Sequence, residues 1–171
     1  MSDAGDVVVG ERFSREHTFS VEEAIAFALA AGDDNPLHHD AEFAAGTRFG
    51  RLIVSGTQTA ALLLGLTASH FAKQGTVIGV GFSVSFERPV YGDESVTLEW
   101  AVDTVRPCST GGGQRVDMKG CLRNASGTIC VSATGSVLVG VDLANDAAGF
   151  VNPRLPRAVD ETAASPLKES D

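Results

Sequence analysis

The stretch from Gly56 to Ala72 constrains this chain more than any other. From Thr57 it reads TQTAALLLGLTASHFA, apolar on almost every side of a helix. A helix without a polar face lies beneath other structure on most of its sides. The segment is also shorter than the roughly 20 residues that cross a bilayer. Ser55 stands where a hydroxyl can cap the first turn. Something else in the chain must therefore wrap this helix.

The candidate wrapping follows Gly75, where the apolar period changes from 3.6 to 2. Ile78, Val80, Phe82, Val84 and Phe86 alternate with Gly79, Gly81, Ser83 and Ser85. Three further alternating runs carry Val96, Leu98, Trp100 and Val102, then Val116, Met118 and Leu122, then Ile129, Val131, Val137 and Val139. An Asn124–Gly127 turn separates the last two runs. Strict alternation predicts an antiparallel sheet with one buried face. A curved sheet around a long central helix is an α+β layer solution, the hotdog fold.

Upstream, Ser20 and Glu23 have capping-box spacing. Val21, Ala24, Ile25, Ala28 and Leu29 then predict a helix that Gly32 stops. Asp40 opens a second short helix to Ala45. The expected division is a flexible lead-in over 1–12, one domain over 13–140 and a tail without periodicity over 141–171.

Twenty-two acids against 13 bases give a net charge of −9, which argues against a nucleic-acid partner. Residues 41–140 hold seven acids and eight bases, so an anionic ligand is acceptable there. Three cysteines without a CxxC pair suit a reducing compartment. The first residues lack the positive and apolar regions of a signal peptide. A cytoplasmic location without membrane partners is expected.

Chemistry concentrates in Gly32-Asp33-Asp34-Asn35-Pro36-Leu37-His38. Pro36 breaks the helix, which lets a carboxylate and an imidazole five residues apart converge. Such a pair can take a proton from water and return it, as addition of water to a double bond requires. The competing reading is a plain cap and turn, since Asp, Asn and Pro are all turn formers.

Three motifs in order decide between them. GDDNPLHHD resembles the hydratase signature of the MaoC-like family of (R)-specific enoyl-CoA hydratases and dehydratases, roughly S/T-G-D-x-N-P-L/I-H-x-D. Phe49-Gly50-Arg51-Leu52-Ile53-Val54-Ser55-Gly56 is similar to that family's F-x-x-P-I-A-H-G. Phe86-Glu87-Arg88-Pro89-Val90-Tyr91-Gly92-Asp93 is similar to F-x-x-P-V-x-x-G-D. The resemblance implies a hydro-lyase that reversibly hydrates a trans-2-enoyl-CoA to a 3-hydroxyacyl-CoA, with Asp33 and His38 catalytic. It implies that Asn35 orients the loop and that the Gly56 amide binds the thioester oxygen. The helix N-terminus independently favours negative charge at Gly56.

Two positions depart from the pattern: Ser55 stands for the usual His and Leu52 for the usual Pro. Ser55 is read as a cap and pocket wall, and its presence bears on substrate choice. Arg48, Arg51 and Arg88 are candidates for coenzyme A phosphates. His17 and His70 read as surface residues, and His39 as structural or solvated. His38, His39 and Asp40 are contiguous, a poor metal set, so neither metal nor cofactor is expected beyond the thioester substrate. That thioester is carried by coenzyme A or by acyl carrier protein. An exposed sheet edge predicts a homodimer or higher homo-oligomer. Two rivals share the fold: an acyl-CoA thioesterase, and a non-catalytic acyl-thioester binding module. The first places a carboxylate on the central helix, but residues 55–72 contain no Asp or Glu.

Overall fold

The computed structural model describes residues 6–108 and 112–142. Strand β1 (Arg12–Thr18) leads to helix α1 (Val21–Ala30), a 3-10 turn (Pro36–His38), α2 (Ala41–Ala45) and the central α3 (Gly56–Phe71). Strands β2 (Val77–Phe86), β3 (Ser95–Pro107), β4 (Gln114–Asn124) and β5 (Ile129–Val139) follow. All pairings are antiparallel, in the order β1-β3-β4-β5-β2. Helix α3 packs against β1, β2, β3 and β4, giving the hotdog arrangement that the periodicity predicts.

The local signals act as expected. Ser20 Oγ accepts from the Glu23 amide at 3.1 Å, and Asp40 caps α2 by accepting from Phe43 at 2.9 Å. Leu98, Trp100, Val116, Met118, Leu122 and Val137 form a nearly solvent-free core with Leu63 and Phe71 of α3. Trp100 Nε1 donates to the Leu63 carbonyl at 2.9 Å. That bond satisfies the indole and fixes α3 against the middle of β3.

The sheet covers only one side of α3. Leu63, Leu66, Thr67 and Phe71 are buried, whereas Ala61, Gly65, Ala68 and Ser69 stay exposed. The large residues of β2 are half-buried, and Phe86 is 60% exposed, because β2 is outermost and runs past the helix. Ile129 does not point inward as alternation suggests. A register shift beside Leu122 and Arg123 turns Cys130 and Val131 into the core instead.

The domain boundaries differ from those expected. Val7 is 3% exposed, and its amide donates to Gln114 Oε1 at 2.9 Å. Gly10 donates to the Val102 carbonyl at 2.9 Å, and β1 starts at Arg12. Val7, Gly10 and Glu11 are thus tied to the sheet instead of forming a loose lead-in, while Val8 and Val9 stay exposed; residues 1–5 lie outside the described residues. Val141 is also buried, and its carbonyl accepts from Thr76 Oγ1 at 2.6 Å. The remainder of the expected tail, 143–171, lies outside the described residues.

Strand β1 was not legible as a strand. RFSREHT offers only Phe13 and His17 to the interior, and an edge strand over one end of a helix needs no more. Phe13 stacks on His70 at 3.8 Å, and His70 Nε2 lies 2.6 Å from Glu11 Oε1. His17 Nε2 lies 3.2 Å from Glu23 Oε1. Both histidines are partly buried structural contacts, not free surface residues.

Candidate active site

Gly32, with φ near +70°, ends α1 and turns the chain toward Asp33. Asn35 caps the 3-10 turn: its Oδ1 accepts from the Leu37 amide at 3.2 Å, while its own amide donates to Asp33 Oδ1 at 3.3 Å. Asn35 thereby fixes both ends of the loop. Pro36 opens the turn, and His38 closes it at 7% exposure.

His38 Nδ1 lies 2.9 Å from the Ile53 carbonyl oxygen. A carbonyl only accepts, so Nδ1 carries the proton and, in the neutral ring, Nε2 presents a lone pair. That Nε2 faces Asp33 Oδ2 across 3.6 Å. The gap is too long for a direct hydrogen bond. Carboxylate and imidazole therefore stand as two acceptors side by side at the cleft.

Ser55 is fully buried and does two things. Its Oγ accepts from the Thr57 amide at 3.3 Å, capping α3 as expected. It also donates to Asp33 Oδ2 at 2.6 Å, which the sequence did not reveal. This hydrogen bond, ahead of the opposing effect of burial, and with the Asn35 amide and the His38 and His39 rings, holds the Asp33 carboxyl below its ordinary range. Thr57 Oγ1 lies 2.7 Å from Ser55 Oγ.

These groups border an open cleft of about 500 Å³. Asp33, His38, Ser55, Gly56 and Thr57 occupy one wall, with Arg48, Phe86 and Arg88 also lining it. Gly56 is the first residue of α3, so its amide has no acceptor within the helix. Phe49, Val54, Val90 and Val131 supply apolar lining.

Of the three arginines singled out in the sequence, Arg48 and Arg88 line the cleft and Arg51 does not. Arg51 Nη1 donates to both Asp93 carboxylate oxygens at 2.7 Å, and its guanidinium lies 4.1 Å from the centre of the Tyr91 ring. Its charge is committed to a surface clip. Among the described residues, no group of three or more His, Cys, Asp or Glu side chains is placed to hold a metal ion. Nor is any helix among the described residues long and apolar enough to cross a membrane.

Sequence reasoning passed over Thr57, Phe86 and the Ile53 carbonyl. Phe86 had a signal, as the last large residue of its alternating run, directly before the third motif. Thr57 and a backbone carbonyl had none.

The sequence profile of the MaoC like domain matches residues 8–118. The chain belongs to the MaoC-like family. Within that family it is 38% identical over 103 residues to an (R)-specific enoyl-CoA hydratase of Aeromonas caviae, covering 60% of this chain and 76% of that one. It is 33% identical over 95 residues to the mitochondrial 3-hydroxyacyl-(acyl-carrier-protein) dehydratase FERN of Solanum lycopersicum, covering 55% of this chain and 56% of that one. Among solved structures, the (R)-hydratase from A. caviae involved in PHA biosynthesis superposes with a TM-score of 0.70. It is 32% identical, with 78% of this chain and 97% of that chain covered. The MaoC-like domain therefore spans most of the described chain, and Asp33, His38, Ser55 and Gly56 all fall within it.

Proposed function

We propose that this MaoC-like protein reversibly hydrates a trans-2-enoyl thioester to the 3-hydroxyacyl thioester. The observation that carries the reading is the 3.6 Å approach of Asp33 Oδ2 and His38 Nε2 beside the N-terminus of α3. A water in the cleft that bridges the two acceptors from one side donates one hydrogen to each, which leaves an oxygen lone pair free for C3 of the enoyl group.

The roles then follow from the donor and acceptor count. His38 Nε2 takes a proton from the water as its oxygen bonds to C3. The double-bond electrons move toward the thioester carbonyl, where the Gly56 amide and the positive end of α3 meet the developing charge. The proton on His38 passes to C2, so one water is added and the enzyme returns to its starting state. Asp33 remains ionised throughout, orienting the water and offsetting the imidazolium charge. Asn35 holds the Asp33 loop, and Ser55 keeps that carboxylate in place.

Arg48 and Arg88 at the cleft suit the phosphates of a coenzyme A or acyl-carrier-protein thioester. Strand β2 ends beside the cleft and is one of the two edge strands of the sheet, so a second copy of the chain is expected to pair along it. The lack of any acid on α3 disfavours the thioesterase reading. The relatives' names support a hydratase or dehydratase over a non-catalytic binding module. The test is loss of the enoyl-thioester ultraviolet absorbance when crotonyl-CoA and longer enoyl-CoAs are mixed with the protein. Free thiol is assayed in parallel: release of coenzyme A without formation of 3-hydroxyacyl product would replace this reading with hydrolysis.

A further inference from the structure

The Ser55 hydroxyl has one proton, and its 2.6 Å approach to Asp33 Oδ2 claims it, because a carboxylate only accepts. The 2.7 Å contact between Ser55 Oγ and Thr57 Oγ1 must then run the other way, with Thr57 as the donor. Ser55 Oγ also accepts from the Thr57 amide at 3.3 Å. It thus donates once and accepts twice, the full capacity of a hydroxyl. Its rotor is set by its neighbours.

We propose that Thr57 is a positioning residue whose hydroxyl, by donating to Ser55, aims the Ser55 proton at Asp33. A hydroxyl that accepts a hydrogen bond becomes a stronger donor in its own, so the chain Thr57 to Ser55 to Asp33 is cooperative. On the hydration reading, the terminal carboxylate is the group that orients the water. Thr57 is exposed on the cleft wall, and its side chain makes no contribution to the core. Its methyl group is thus free of a packing role, and its hydroxyl is the part that acts. For turnover this inference rests on the hydration reading; for the ionisation of Asp33 it does not.

The experiment uses the full chain with Thr57→Val, which keeps the shape and removes the hydroxyl, and Thr57→Ser, which keeps the hydroxyl and removes the methyl. Asp33→Asn serves as the reference for loss of the carboxylate. Rates of enoyl-CoA hydration are followed across pH, and the Asp33 carboxyl is titrated by carbon NMR. Thr57→Val is expected to lower kcat about three- to tenfold, the scale of one ordinary hydrogen bond, with KM unchanged. The Asp33 titration should move upward. Thr57→Ser should restore wild-type behaviour in both. An unmoved Asp33 titration in Thr57→Val overturns the proposal, as does a Thr57→Ser variant as impaired as Thr57→Val. If Asp33→Asn retains full turnover, the hydration mechanism fails instead, while the carboxyl titration still decides the hydroxyl chain.

Discussion

The ring of Phe86 lies so close to Gly56 that a Cβ on the glycine would stand 2.9 Å from two ring carbons. Glycine at the head of α3 thus does more than expose an amide; it leaves space for an aromatic wall. Gly56→Ala is expected to push the Phe86 ring aside or tilt the first turn of the helix. Phe86 is 60% exposed and can yield, so the melting temperature should fall by only a few degrees. Turnover should fall about tenfold, a part of the 10²–10³ lost when an oxyanion donor is removed outright. A double variant with Phe86→Ala should recover most of that rate, and failure to recover would mean that the alanine acts on the helix alone.

The acid–base pair makes the bluntest prediction. Asp33→Asn and His38→Ala should each reduce kcat by about 10²-fold or more, the scale of a lost general acid–base group. Circular dichroism should show the fold retained. Near-normal rates from either folded variant would remove that residue from the mechanism.

Acid dependence follows from the Ser55 hydrogen bond, the largest cause of the depressed Asp33 titration. A carboxyl held lower in the folded state than in the unfolded chain stabilises the fold above its unfolded value. That contribution is lost as pH falls through the folded value. The Asp33 carboxylate should therefore stay ionised below the ordinary aspartate value of about 3.9, for as long as the fold survives. Ser55→Ala should raise the Asp33 titration and cost about 0.5–2 kcal/mol through the missing cap. Carbon NMR titration of Asp33 in the two proteins, beside urea melts, separates these effects.

The arginines should divide by position. Arg48→Ala and Arg88→Ala are expected to raise KM for coenzyme A thioesters with little change in kcat. Arg51→Ala should leave KM alone, because its guanidinium is held by Asp93 and Tyr91. That exposed pair should contribute about 0–1 kcal/mol to stability. Steady-state kinetics on all three variants checks the division, and a KM effect confined to Arg51 would reverse it.

What the sequence revealed depended on how locally each feature is determined. The caps at Ser20, Asp40 and Ser55, and the alternation in β3 and β4, are set within a few residues, and they were readable. The meeting of Asp33 and His38 was readable too, because Pro36 dictates the bend between them. Strand β1 was not, since its two inward residues gain meaning only from distant partners, Phe13 from His70 of α3 and His17 from Glu23 of α1. The second bond of Ser55 and the diversion of Arg51 to Asp93 were equally hidden. Each depends on a partner 22 or 42 positions away in the chain.

Stability and activity are often in tension, with strained active sites sustained by the rest of a fold. At Ser55 Oγ they point the same way. One buried oxygen closes the first turn of the central helix and steadies the carboxylate opposite. Changes that tighten this helix end should also sharpen the chemistry, and selection for heat resistance here would not have to sacrifice rate.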